Sequence, residues 1–214
     1  MADLNLGTLF LSFLVLLFSL TVHEAAHAWT ADRLGDPTGR RLGRVSLNPL
    51  VHIDPIGTIL LPLVAMFTGA PLIGWAKPVP VSLRGLRRYP RDFMLVIVAG
   101  PASNLLLAAA ASLALRVLPG ESLGVGGVQV GAPVVHLLIA AFQLNLLLAV
   151  FNLVPVPPLD GGNLVGAVLR GSLQRGFDAL RPYGVFILYA LMFTGTMGAI
   201  IGPPYSLLAR LLTL

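Results

Sequence analysis

Two histidines and a glutamate stand close together in an apolar stretch, LTVHEAAHAW at residues 20–29. Residues four apart lie on one face of an α-helix, so the side chains of His23 and His27 can bind one metal ion. Glu24 lies beside them, placed to act as a general base toward water at that metal. Polar side chains at membrane depth are costly and are seldom present without a role. The spacing therefore predicts a hydrolytic zinc site, and the alternative is an interfacial histidine pair at a helix end.

A catalytic zinc site needs three protein ligands and an open position. The chain has no cysteine, so the third ligand must be a histidine or a carboxylate. The candidates near apolar segments are His52, Asp54, His136 and Asp160. For His52 we expect an interfacial hydrogen bond, and for His136 no metal contact. The pair Asp54-Pro55 is typical of the N-cap and first residue of a helix.

Asp160 is the preferred third ligand, because it lies in the irregular stretch FNLVPVPPLDGG at residues 151–162. Its three prolines end regular helix, and the two glycines after Asp160 permit close approach of the backbone. Irregular backbone at membrane depth is tolerated where protein encloses it or where it lines a polar cavity. The alternative role for Asp160 is to N-cap the following helix.

The composition identifies a membrane protein. Of 214 residues, 56% are apolar and 11% are charged, whereas soluble domains are about a quarter charged. The net charge of +5 fits loops that face an anionic membrane surface better than it fits nucleic acid. We expect a single domain over residues 1–214, with a core at about 4–165 and C-terminal membrane helices at about 166–214.

Five apolar segments and a tail predict an all-α polytopic fold with about four to five transmembrane helices. They lie at residues 4–29, 56–73, 93–118, 134–154 and 183–201, with the tail at 205–214. The first segment lacks the basic region and the cleavage site of a signal peptide, so we expect it to be a retained helix.

The arginines predict the topology. They cluster at 33–44, 84–91 and 170–181, while the loop 119–133 has no basic residue. The positive-inside rule puts the three clusters in the cytosol, and the loop and the N-terminus outside. Segment 56–73 then begins and ends on one side, so we expect it to be re-entrant, interrupted by Pro62, Gly69 and Pro71. The alternative is a spanning helix that breaks the rule.

The re-entrant path has a consequence for the metal site. If segment 56–73 does not cross, the third segment runs outward and the fourth runs inward. His27 and Asp160 then reach the same side of the membrane. The zinc hypothesis and the arginine distribution therefore require the same unusual element.

These motifs together resemble the site-2 protease family of intramembrane zinc metalloproteases. HEAAH is similar to that family's first motif, NLVPVPPLDGG to its later Asn-to-Asp motif, and AGPASN, ending at Asn104, to its third-segment motif. The stretch RLGDPTGRRLGRVSLNPLVHIDPIGT resembles a compact bacterial subgroup without a PDZ or CBS domain. The resemblance covers most of residues 20–165.

The resemblance implies one Zn²⁺ per chain on His23, His27 and Asp160, with Glu24 as the base. Cleavage would fall within or next to transmembrane helices of membrane-protein substrates. Asn152 is similar to the family's asparagine near the metal, where its amide would stabilise an oxyanion or hold the substrate. Its alternative role is a hydrogen bond between helices, which is also our expectation for Asn104 and Asn145.

The stretch GWAKPVPVSL at residues 74–83 is a candidate edge strand, because a protease must hold its substrate extended. Pro78 and Pro80 leave one edge without donors. Lys77, Val79 and Val81 direct their N–H groups to the other edge, which could pair with a substrate strand. The alternative is a rigid proline-rich turn.

Two other functions remain possible from the sequence. A non-proteolytic zinc-binding adaptor would not need Glu24, and a metal transporter would need polar ligands along a whole path rather than at one depth. We expect a multi-pass protein of the cell membrane with its active site toward the cytosol. The partners expected are the lipid bilayer and substrate transmembrane segments, with no nucleic acid.

Overall fold

The computed structural model describes residues 6–68, 75–118, 124–125, 128–129 and 131–213. Helices account for most of them: α1 Leu6–Arg33, α2 Thr38–Arg41, α3 Leu61–Thr68, α4 Arg91–Val117, α5 Gly131–Asn152, α6 Asp160–Val168, α7 Gly171–Leu180, α8 Gly184–Phe193 and α9 Thr196–Thr213. Short 3-10 turns lie at Pro49–Val51 and Arg181–Tyr183, and a π-helical stretch at Pro55–Leu60 precedes α3. Strands β1 (Gly124–Val125) and β2 (Val128–Gln129) form a two-residue antiparallel hairpin.

Three of the described helices are long and apolar enough to cross a membrane: α1 from Phe10, α4, and α5 from Pro133. The chain from Gly171 to Phe193 and helix α9 form a fourth candidate, bent by 81°. The all-α polytopic fold is therefore confirmed. Among the described residues three helices could span, or four if the bent pair is one span, against the four to five expected.

Helices α1 and α4 pack antiparallel. His23 of α1 contacts Asn104 of α4, while His27, one turn further along α1, contacts Val96, two turns earlier on α4. Asn104 also contacts Asn145 of α5, and the stretch after α5 brings Asp160 back to His27. The ends of α1 and α5 and the beginning of α4 therefore lie at one end of the bundle, as the topology argument requires.

The predicted re-entrant segment returns to its own starting point. Trp75 N–H donates to the carbonyl of Gly57 (3.1 Å), and Thr58 Oγ1 donates to the carbonyl of Trp75 (2.8 Å). Pro62 is the second residue of α3, directly after the π-helical stretch, so it removes one backbone donor inside a continuous helical segment. The predicted interruptions Gly69 and Pro71 lie outside the described residues. The described residues on the two sides of the segment therefore lie together, as the re-entrant prediction requires.

Residues 75–82 form an extended stretch without a strand partner among the described residues. Ser82 N–H donates to Oδ2 of the buried Asp36 (2.6 Å), whose Oδ1 accepts from Thr38. Val81 packs beside the buried cluster that contains Ala31 and Val96. The stretch is thus held against α1 and the beginning of α4, close to the side chains of the HEAAH motif.

The last apolar segment is divided between two helices. Segment 183–201 is not one helix, because α8 ends at Phe193 and α9 begins at Thr196. Gly195 has a φ of +73°, which favours glycine and ends the helix. The predicted tail belongs to α9, and the carbonyl of Leu212 accepts from Ser112 Oγ (2.6 Å) and from Arg116 (2.9 Å).

Candidate metal centre

Three ligand-type side chains converge between α1 and α6. Asp160 Oδ2 lies 3.1 Å from His23 Nε2 and 3.3 Å from His27 Nε2. The two Nε2 atoms are 3.0 Å apart. Among the described residues, these three side chains form a group close enough to bind one metal ion.

The other nitrogen of each imidazole is bonded to an atom that can only accept. His23 Nδ1 lies 2.6 Å from Asn104 Oδ1, and His27 Nδ1 lies 2.7 Å from the carbonyl of Val96. Each Nδ1 must therefore carry the proton and donate it. Each Nε2 then presents a lone pair toward Asp160, the tautomer that metal-binding histidines adopt.

The donor set fits a zinc ion. Two Nε2 lone pairs face one carboxylate oxygen, and Asp160 Oδ2 is buried without a hydrogen-bond donor. Three such electron-rich atoms repel one another unless a cation lies between them. Ligand atoms around a tetrahedral zinc ion lie about 3.3–3.5 Å apart, close to the separations found here. Two nitrogens and one oxygen also match the ligand types of catalytic zinc sites.

Gly100 of α4 provides the space for both imidazoles. A Cβ at this position would lie 2.5 Å from His27 Cε1 and 2.6 Å from His23 Cε1. Any larger residue would push the rings away from Asp160. The third-segment motif AGPASN therefore contributes a gap at Gly100 and a hydrogen-bond acceptor at Asn104.

Asp160 is the first residue of α6 and makes no N-cap hydrogen bond, so the alternative capping role is not found. The following glycines are required by tight packing. A Cβ on Gly161 would lie 2.5 Å from the carbonyl oxygen of Val154, and one on Gly162 would lie 2.5 Å from Pro157 N. The proline-rich stretch thus folds back onto the start of α6 and fixes the place of Asp160.

Glu24 does not join the metal group. Its Oε2 accepts a hydrogen bond of 3.0 Å from the backbone N–H of Val79 in the extended stretch. The carboxylate of the predicted base is therefore turned toward the segment that is predicted to bind substrate.

The predicted donor edge of that segment is occupied at two positions. Lys77 N–H donates to the carbonyl of His52 (2.8 Å), and Val79 N–H donates to Glu24. Val81 contributes its side chain to the packing around Val96. Substrate binding by Lys77, Val79 and Val81 stays a prediction, and the N–H groups of Lys77 and Val79 already have internal acceptors.

Asn152 lies at the end of α5, and its amide donates to the carbonyl of Leu148 in the same helix (2.9 Å). A role in stabilising an oxyanion would require the amide to leave this bond, and that role stays a prediction.

The other candidate ligands lie elsewhere. His52 Nε2 contacts the carbonyl of Ser46 (2.9 Å). Asp54 caps the π-helical stretch by accepting from the N–H groups of Ile56 and Gly57, as the Asp-Pro pair predicts. His136 lies near the beginning of α5, at the opposite end of that helix from Asn152.

The two groups that orient the imidazoles, the Asn104 side chain and the carbonyl of Val96, were not predicted from the sequence. Asn104 was expected to join helices, and it does contact Asn145 (2.9 Å), but it also holds His23. The similarity of AGPASN to a family motif was the available signal for Asn104. The carbonyl of Val96 carries no sequence signal, because every residue has one.

The sequence of this chain matches known proteins. Residues 125–194 match the model of peptidase family M50. The chain is 37% identical over 190 residues to "Putative zinc metalloprotease YwhC" of Bacillus subtilis, covering 87% of this chain and 81% of that protein. It is 31% identical over 180 residues to "Putative zinc metalloprotease Rip2" of Mycolicibacterium smegmatis, covering 83% of this chain and 64% of that protein. No solved structure matches the chain.

Proposed function

The chain belongs to peptidase family M50, and we propose that it is an intramembrane zinc endopeptidase that cuts peptide bonds within or next to transmembrane helices of membrane proteins. The observation that carries the proposal is the convergence of His23, His27 and Asp160 beside Glu24. This convergence lies within a candidate membrane span and at the start of α6. One Zn²⁺ per chain would be held by these three side chains.

A bound zinc ion would supply Lewis acidity, activating water and polarising the scissile carbonyl. The chain supplies the orientation of the site. Asn104 and the carbonyl of Val96 fix the tautomers of the two imidazoles, and such outer contacts tune a metal site strongly. Gly100 keeps the space between α1 and α4 open for the two rings.

Glu24 is the proposed general base. It follows His23 directly on α1, so its carboxylate lies beside the metal ligands without being one of them. In the reaction it would take a proton from the attacking water and pass it to the leaving amine. The hydrogen bond from Val79 orients Oε2 toward the extended stretch, where the substrate would lie.

The substrate must be extended at the scissile bond, because a helix hides its own peptide groups. Residues 75–82 offer an extended template held at both ends, by His52 and Gly57 on one side and by Asp36 on the other. Pairing of a substrate strand there would bring its backbone next to Glu24. The arginine clusters favour a cytosolic position for this end of the bundle, with the N-terminus outside.

The test uses the purified full chain in proteoliposomes with synthetic transmembrane peptides of roughly 20 apolar residues. Zinc-loaded wild type should release fragments whose ends, read by mass spectrometry, lie within or beside the apolar segment. Glu24→Gln with the same zinc content should release none. Cleavage by Glu24→Gln at the wild-type rate would overturn the proposal. Zinc-dependent binding without cleavage by either protein would favour an adaptor, and metal uptake by the vesicles would favour a transporter.

A further inference from the structure

A cavity of about 350 Å³ lies next to the metal centre, on the side of the arginine-rich loops. Its walls come from four elements: the end of the extended stretch, the start of α4, and the helices α6 and α7. Helix α6 carries Asp160, α4 holds His27 through the carbonyl of Val96, and the extended stretch bonds Glu24 through Val79. The cavity is therefore built on the same elements as the proposed site of cleavage.

Helix α6 connects the cavity to the metal centre. Asn163 and Ala167 line the cavity, and they lie three and seven residues after Asp160. Positions i, i+3 and i+7 share one helix face. At 1.5 Å per residue, the two side chains are about 4.5 and 10 Å beyond the metal-binding carboxylate. The cavity thus begins about one helical turn from the metal ligands.

Helix α4 and the chain after Val79 also have one residue at the proposed site and another at the cavity wall a few positions away. Phe93 lines the cavity and lies three residues before Val96, whose carbonyl holds His27. Val81 and Leu83 line it too, and they lie two and four residues after Val79, which bonds Glu24. Extended residues advance about 3.3 Å each, so Val81 lies roughly 7 Å from Val79 along the chain. Leu83 begins the turn that follows, in which Gly85 N–H donates to the carbonyl of Ser82.

The lining is apolar on one side and polar on the other. Val81, Leu83 and Phe93 form the apolar wall. Opposite them, Arg181 donates to Asp178 Oδ1 (2.8 Å) and to Asn163 Oδ1 (3.0 Å). The charges of Arg181 and Asp178 are already paired with each other, so neither offers an uncompensated charge to a charged side chain of the substrate. A neutral side chain with a large apolar body and a hydrogen-bonding tip fits better.

We propose that this cavity is a specificity subsite of the peptidase, which takes a tyrosine-like substrate side chain a few residues from the scissile bond. The inference rests on the proposed function and deepens it by naming the substrate residue class. A substrate strand paired with residues 79–82 would run toward the cavity, whose lining begins at Val81, two residues after Val79. Tyrosine and tryptophan are also enriched where transmembrane helices meet the membrane surface.

The first test measures specificity. Zinc-loaded wild type is given synthetic transmembrane peptides that differ only by Ala, Tyr or Lys at one position, scanned across four residues on each side of the mapped cut. We expect kcat/KM for the Tyr peptide to exceed that for the Ala peptide by roughly tenfold at one position, a typical effect of filling a pocket. Absence of a Tyr preference at every position would overturn the proposal.

Filling the cavity should remove that preference. Leu83 is 45% exposed, so Leu83→Trp adds bulk at the cavity without replacing a buried side chain. Whatever the rate on the Ala peptide, the ratio of kcat/KM for the Tyr and Ala peptides should fall to within about twofold. The matched control is Leu42→Trp, at a leucine that is 59% exposed and does not line the cavity. A Tyr preference that survives in Leu83→Trp would contradict the proposal.

A second test does not depend on cleavage. The chain has no native cysteine, so Leu83→Cys in a Glu24→Gln background carries one thiol at the cavity. Peptides with a single cysteine at successive positions should form a disulfide with it at one or two positions only. Equal cross-linking at all positions, as expected for Leu42→Cys in the same background, would overturn the subsite. Position-specific cross-linking without any cleavage by wild type would support the cavity as a peptide-binding site and would contradict the proposed proteolytic function.

Discussion

The backbone N–H of Val79 donates a 3.0 Å hydrogen bond to Oε2 of Glu24. This contact joins the predicted base on α1 to the extended stretch that lies between the re-entrant segment and α4. A hydrogen bond to a charged group contributes about 1.5–3 kcal/mol. The position of the Glu24 carboxylate therefore depends on the backbone of Val79 and not on its side chain.

Removing that N–H should impair catalysis without removing zinc. Val79→Pro deletes the donor, and an extended backbone accepts proline at this position. We expect kcat to fall by roughly 10- to 100-fold, which corresponds to the free energy of a hydrogen bond to a charged group. The measurement is cleavage of a synthetic transmembrane peptide, with metal content determined in parallel. Val79→Ala keeps the N–H and should retain nearly full activity; equal loss in both variants would show that the side chain matters instead.

Asp160 is expected to be required for zinc retention. Asp160→Ala leaves a two-histidine site, below the three ligands that a catalytic zinc ion needs. Zinc affinity, measured by competition with a chelator, should fall by more than the 10- to 100-fold typical of losing an orienting group. Asp32→Ala is the control, because Asp32 pairs with Arg40 away from the metal group. Wild-type affinity in Asp160→Ala would mean that another residue is the third ligand.

Asn104 should affect zinc affinity through His23. Asn104→Ala removes the acceptor for Nδ1–H of His23, so the ring loses its fixed tautomer and orientation. We expect a 10- to 100-fold lower zinc affinity. Ser112→Ala is a matched change on the same helix, because it deletes the buried hydrogen bond to Leu212 far from the metal. If both variants lose zinc equally, the effect of Asn104 is one of general stability.

Gly100→Ala should separate the imidazoles from Asp160. The added methyl group would lie 2.5–2.6 Å from Cε1 atoms of both histidines, and a packed helix pair cannot widen at one point without cost. We expect a protein that inserts and purifies but binds zinc weakly. Gly198→Ala is the control, since a Cβ there meets no atom within 4 Å. Full zinc binding by Gly100→Ala would show that the rings can move aside.

Arg84 and Pro133 should label from opposite sides of the membrane. Both are exposed, and the chain has no native cysteine to interfere. In sealed cells, an impermeant thiol reagent added outside should modify Pro133→Cys and leave Arg84→Cys intact. Modification of Arg84→Cys from outside would invert the proposed orientation of the metal centre.

The residues that could be predicted from the sequence share a local signal. His23 and His27 follow from helix periodicity, and Asp160 follows from the prolines and glycines around it. The return of segment 56–73 followed from the arginines, because charge placement constrains topology over long distances. These features depend on spacing or on membrane energetics, both of which can be evaluated without coordinates.

What could not be predicted depends on packing between distant segments. The bond between Val79 and Glu24 joins positions far apart in sequence, and the acceptor for His27 is the backbone of Val96. Backbone contacts of this kind leave no trace in residue type. The break between α8 and α9 is different, because it falls at Gly195, whose positive φ favours glycine and which stands between two threonines.

The order in which the ligands enter the chain has a consequence during synthesis. His23 and His27 emerge with the first helix, whereas Asp160 follows only after α4 and α5 have been made. A nascent chain that has not reached α6 lacks the proposed third ligand of a catalytic zinc site. The complete set of proposed ligands therefore exists only after α1, α4 and α5 have all been synthesised.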